Sequence, residues 1–142
     1  MRKLILPLIL LASFFANAET TTAGKLSVVI NSAENNKGVV ELHLINSNAQ
    51  FEGQTDAFRV CIEQVFKQTA NCEFEKLPYG EYAIYAFHDQ NEDGKLNTSV
   101  FGAPTEKVVV SAVDLAVNES PTFSQSKFLF NSVHGQVFLN LQ

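Results

Sequence analysis

The 142-residue sequence predicts an all-β fold, an antiparallel β-sandwich of seven to eight short strands. Three observations carry that expectation. Apolar and polar residues alternate over short stretches, the period of a strand with one buried face. Gly, Pro and Asn cluster between those stretches, where turns belong. Beyond residue 18, no long stretch has the apolar spacing of an amphipathic helix.

The elements follow in chain order. Leu26, Val28 and Ile30 alternate with Lys25, Ser27 and Val29, giving a half-buried strand. Residues 31–38 form an Asn-rich turn. Residues 38–46 resume the alternation, with Val40, Leu42 and Leu44 inward and Glu41 and His43 outward and exposed. Residues 46–55 read as a polar loop around Phe51 and Gly53. Residues 57–67 suit two periods. Phe58, Cys61, Ile62, Val65 and Phe66 make a helical stripe, whereas Phe58, Val60, Ile62 and Phe66 suit a strand. β-Branched and aromatic content favours the strand and leaves the helix open.

Farther on, residues 71–77 set Cys72, Phe74 and Lys76 against Glu73, Glu75 and Leu77, and Pro78-Tyr79-Gly80 makes a turn. Residues 81–88 are apolar on both faces, as in a central strand, and 89–98 are a polar loop. Val108, Val109 and Val110 mark a short strand over 107–112, followed by a loop over 113–121. Residues 122–130 and 135–141 are the last strands, the final one with Val137, Leu139 and Leu141 on one face. These elements make one domain over 25–142, preceded by a polar, disordered lead-in at 19–24.

The first eighteen residues set the compartment. Arg2 and Lys3 precede an apolar run from Leu4 to Phe15, and Ala16-Asn17-Ala18 supplies small residues at a cleavage point. This is the pattern of a secretory signal peptide over 1–18. The run falls short of the roughly 20 apolar residues of a spanning helix, and no transmembrane segment is expected after cleavage. Losing Arg2 and Lys3 moves the formal net charge from −5 to −7. That acidity excludes the basic patch of a nucleic-acid binder. The expected location is outside the cytoplasm, in the periplasm rather than fully secreted. Cys61 and Cys72, the chain's only cysteines, then read as a structural disulfide.

One loop carries chemistry. Asp89, Asn91 and Asp93 stand at alternate positions and Gly94 follows, the front half of a calcium loop. Calcium takes about six to eight oxygens, and alternate side chains on a tight loop can converge on one point. The Lys95 carbonyl and Asn97 extend the candidate set, and Glu92 and Glu106 are the nearest further carboxylates. The position where a helix–loop–helix site places a bidentate Glu is Val100, so the loop is not an EF-hand. Affinity of about 10⁻⁴–10⁻³ M, as in extracellular modules, is expected. His88 abuts the loop, and His43 and His134 fall on outward strand faces. No zinc-protease, nucleophile-elbow or phosphate-loop motif is present, and Ser111 and Ser126 lack a recognisable catalytic frame.

Several of these residues also carry a family resemblance. The stretch Leu77-Pro78-Tyr79-Gly80-Glu81-Tyr82-Ala83-Ile84, followed by Phe87-His88-Asp89-Gln90-Asn91-Glu92-Asp93-Gly94-Lys95-Leu96-Asn97, resembles the bacterial domain-of-unknown-function family 2141. Gly102-Ala103-Pro104-Thr105-Glu106 is similar to that family's G-x-P-x-E step, and Ser120-Pro121-Thr122-Phe123 to its later P-S-F step. Asn97 stands where members commonly have Asp, and Val109-Val110-Ser111 replaces a frequent Gly-Phe-Ser. The resemblance implies an exported Ig-like or transthyretin-like sandwich and no assigned activity. A more distant similarity is to carboxypeptidase-regulatory-like sandwich modules. The expected function is therefore a non-enzymatic cell-envelope module that engages an envelope protein or ligand. A periplasmic small-ligand carrier is the alternative, with a metal-assisted hydrolase using Asp89, Asp93 and His88 behind it.

Overall fold

The computed structural model describes residues 22–142; the signal peptide expected over 1–18 lies outside the described residues. Eight strands and two single-turn helices follow one another. They are β1 (Ala23–Asn31), β2 (Val39–Ile45), α1 (Asn48–Phe51), β3 (Arg59–Gln64), β4 (Ala70–Pro78) and β5 (Gly80–Asp89). Then come β6 (Val108–Val110), α2 (Phe123–Ser126), β7 (Phe128–Phe130) and β8 (His134–Asn140). Residues 57–67 thus take the strand form. Ala23 and Gly24, expected in the lead-in, already belong to β1, and the Thr22 carbonyl accepts from the Tyr79 N–H at 2.9 Å.

The strands form two sheets. The smaller has the order β4-β1-β8, and the larger the order β3-β2-β5-β6, with β7 pairing the first residues of β5. Every pairing is antiparallel except β1 with β8, which run parallel from Lys25↔His134 to Asn31↔Asn140. Inward residues from both sheets meet in the core, as the alternation predicts. Leu26, Val28 and Ile30 of β1 face Val40, Leu42 and Leu44 of β2 and Tyr82, Ile84 and Ala86 of β5. Each of the Val, Leu and Ile side chains removed from water stabilises by about 1.5–3 kcal/mol.

The expected disulfide joins Cys61 to Cys72, with Cα atoms 6.1 Å apart. Cys61 lies on β3 of the larger sheet and Cys72 on β4 of the smaller. The bond therefore staples one edge of the sandwich across its two layers.

Two sequence expectations need correction. The phase of β4 is not uniform: Leu77 is fully buried and Lys76 is exposed, the reverse of simple alternation. Gly24 pairs with Leu77 and Leu26 with Phe74, so Glu75 and Lys76 together oppose Lys25. This is a β-bulge, and Lys76 takes the positive φ of 50° that it needs. The second correction concerns 122–130, which is not a single strand. Thr122 accepts from the Gln125 N–H, and the Gln125 side chain accepts from the Thr122 N–H. That reciprocal capping box starts α2 and leaves only Phe128–Phe130 as strand. Ser111 is buried nearby, accepting from the Ile84 N–H and donating to the Ser126 carbonyl, a tie at the end of β6.

Candidate functional site

The polar loop leaves the end of β5. Asp89 is buried, and its Oδ1 and Oδ2 accept from the N–H groups of Asp93 (3.2 Å) and Gly94 (2.8 Å). The carboxylate thus folds the chain back over its own side chain, with Gly94 at φ 72° where the turn reverses. Gly38 fixes the base of the loop. It also sits at positive φ, and a Cβ there would lie 2.1 Å from the Asp89 carbonyl oxygen.

Asp93 is the exposed centre of the loop. Its Oδ1 accepts from the Lys95 N–H at 2.9 Å, and its Oδ2 accepts from Asn91 Nδ2 at 3.0 Å and Asn97 Nδ2 at 3.1 Å. The Asn97 and Asn91 amides hold the Asp93 carboxyl below its ordinary value. Four of the sequence-predicted site residues, Asn91, Asp93, Lys95 and Asn97, are therefore brought together. Glu92 is exposed at φ 57° and makes none of these contacts. Among the described residues, no three His, Cys, Asp or Glu side chains converge to hold a metal. An ion here would draw on amide and main-chain oxygens beside Asp93. Turning the Asn91 and Asn97 amides over would present their oxygens where the donors now point.

Glu106 is a clasp. It is buried, its Oε1 accepts from the Gln90 N–H at 3.0 Å, and its Oε2 accepts from the Asn97 N–H at 2.9 Å. One carboxylate thus ties both ends of the loop. The G-x-P-x-E step in the sequence marks this residue without revealing the role. His88 turns away to the opposite side. A backbone N–H can only donate and a carbonyl only accept. So Nδ1 accepts from Glu34 N–H (3.2 Å) and Nε2 donates to the Lys37 carbonyl (2.7 Å), tying β5 to 32–38. With both ring nitrogens so engaged and the ring buried, nothing in this arrangement favours the hydrolytic alternative.

Beyond the loop, the chain forms a short arm. Thr98 bridges Pro104, the Ser99 N–H donates to the Ala103 carbonyl, and Val100 and Phe101 stand 95% exposed at the tip. Leu96, Phe101 and Pro104 make one wall of a groove of about 1160 Å³ over the outer face of the larger sheet. Residues Gly53, Thr55 and Asp56 after α1 make a second wall, and Leu115, Glu119 and Pro121 a third.

The floor follows from strand register. Val60, His43, Tyr85 and Val110 lie side by side on one rung across β3, β2, β5 and β6. Ile62, Glu41, Phe87 and Val108 form the next rung, of which Val108 lines the groove. A solvent-facing sheet surface is ordinarily polar on such positions, yet here only Glu41, His43 and the Tyr85 hydroxyl are polar. His43 stacks edge-on against Tyr85, 6.0 Å between ring centroids, and Glu41 Oε1 meets its Nε2 at 2.6 Å. Burial first, then the negative charges of Glu106 and Glu41, push the Tyr85 phenol up to about 12. Glu41 and His43 do point outward as the alternation predicts, but Glu41 is buried and His43 half-buried. Sequence reasoning misses this face as a site. Its one local signal is the apolar character of β5 on both sides.

These features define a two-layered, disulfide-stapled β-sandwich with a clasped polar loop beside an apolar groove. The family model described as "Uncharacterized protein conserved in bacteria (DUF2141)" matches residues 28–137, and the chain belongs to that family. No curated protein and no solved structure matches the chain.

Proposed function

We propose that this protein is a non-enzymatic binding module of the bacterial cell envelope, exported by its N-terminal leader, that holds an apolar ligand in the groove over β3-β2-β5-β6. The observation that carries the reading is the outer sheet face, apolar where a surface strand is ordinarily polar and walled on three sides. The inter-sheet disulfide supports export. The test is titration of residues 19–142 with an uncharged apolar fluorophore such as N-phenyl-1-naphthylamine. Saturable binding that is weakened at least tenfold by Val110→Glu supports the groove. Binding unchanged in that variant overturns it.

A second reading concerns calcium at the loop, with Asp93, Asn91, Asn97 and the Lys95 carbonyl as donors and Asp89 shaping the turn. It is favoured by the convergence of both amides on Asp93 Oδ2. In this reading, a weakly held ion stiffens the groove wall that begins at Leu96. Ligand at a tenfold excess over Kd adds about 1.4 kcal/mol to the native state. A thermal melt in excess EDTA and in millimolar Ca²⁺, with Mg²⁺ as control, is expected to show a Ca²⁺-specific rise that Asp93→Ala abolishes. Equal melting temperatures under all three conditions reject the site.

A further inference from the structure

The groove is acidic as well as apolar. Its lining contains Asp56 and Glu119 and not one Lys or Arg. Among the described residues, neither carboxylate has an ion-pair partner. His43, the one imidazole in the lining, is paired with the Glu41 carboxylate at 2.6 Å. Two cations flanking the floor strands are committed elsewhere. Arg59 donates to the carbonyls of Glu75 and Lys76, and Lys107 to the carbonyl of Ser32. Beside the floor, the Glu41 and Glu106 carboxylates add their negative charge to the surroundings of the Tyr85 phenol.

We infer that the ligand is an organic cation with an apolar body, an alkyl or aryl ammonium. Its body lies on Tyr85, Val108 and Val110, and its head is met by the acidic rim of Asp56 and Glu119. Aromatic faces attract cations, and carboxylates at the rim add Coulombic attraction; anions meet the same field as repulsion. A volume of about 1160 Å³ accommodates a chain of drug-like or fatty-chain size. This inference rests on the groove being the binding site proposed above.

The experiment compares three probes of one chain length, decyltrimethylammonium, 1-decanol and decyl sulfate. Each is titrated into residues 19–142, oxidised, below micelle formation and saturation. Calorimetry reads affinity, and backbone and methyl NMR shifts read location. The expected result is that the cation binds at least tenfold tighter than either analogue. Its shifts should centre on His43, Tyr85, Val108 and Val110, and Asp56→Asn with Glu119→Gln should remove most of the preference. Those two side chains are exposed, so the double variant is expected to fold. If decanol binds the groove as tightly as the cation, or decyl sulfate tighter, the charge inference is overturned and the groove stands. If the cation's shifts scatter over the acidic surface and decanol moves none of the floor residues, groove and inference both fall.

Discussion

Glu106 shows how much one side chain determines here. Its two oxygens close an eight-residue excursion by taking main-chain N–H groups at Gln90 and Asn97. Substituting Glu106→Gln puts an NH₂ where one oxygen accepted, leaving a buried N–H facing a donor. We expect a loss of about 1–3 kcal/mol in urea denaturation, with faster amide exchange at residues 90 and 97. Glu92→Gln, at an exposed position on the same loop, is expected to change stability by no more than about 0.5 kcal/mol. In the sequence these residues look interchangeable, two acids flanking a candidate ion site. What separates them is burial and hydrogen-bond direction, which spacing does not encode. The same holds for His88, whose neighbours in space are Glu34 and Lys37, on a turn some fifty residues earlier.

Among the elements, β1 and β2 are legible because their apolar period is unbroken over a full strand, and β5 because both its faces are apolar. The phase of β4 is not, because a bulge at Glu75–Lys76 inserts a residue and turns Leu77 inward. α2 has a readable start signal, the T-x-x-Q of Thr122 to Gln125, which the strand expectation over 122–130 does not use. The groove floor was least legible of all. It is assembled from outward residues of β3, β2, β5 and β6, and only pairing register sets His43 beside Tyr85 and Val60. At this scale the disulfide makes a sharp prediction. Because Cys61 and Cys72 belong to different sheets, nothing in the strand ladders replaces their link. Replacing both by Ala should cost about 2–4 kcal/mol, read as a urea midpoint lower in the variant than in the oxidised protein.

For the molecule as a whole, stability should fall at both ends of the pH scale for identified reasons. Tyr85 ordinarily titrates at 10.0 but is raised to about 12 in the fold. Between those values the unfolded chain has released a proton that the folded chain keeps, so stability declines as pH rises through that window. Tyr82 is raised by burial as well and acts in the same direction. Tyr85→Phe should therefore shallow the alkaline slope without removing it, as followed by denaturation at pH 9 to 12. On the acid side, Asp93 is lowered from 3.8 by the Asn97 and Asn91 amides. Its contribution is fully present above that value and is lost as pH falls through the lowered one.

The parallel pairing of β1 with β8 bears on when this fold can exist. β1 is the middle strand of its sheet, and one of its two neighbours is the last strand of the chain. Until residues 134–140 arrive, β1 has an open edge and Leu26, Val28 and Ile30 lack part of their cover. Contacts this distant in sequence form late, because closing so long a loop costs entropy before any contact repays it. A chain emerging from the ribosome therefore stays unlocked until it is nearly whole. Under the export proposed above, such a latch on the final strand would keep the chain translocatable until it has crossed.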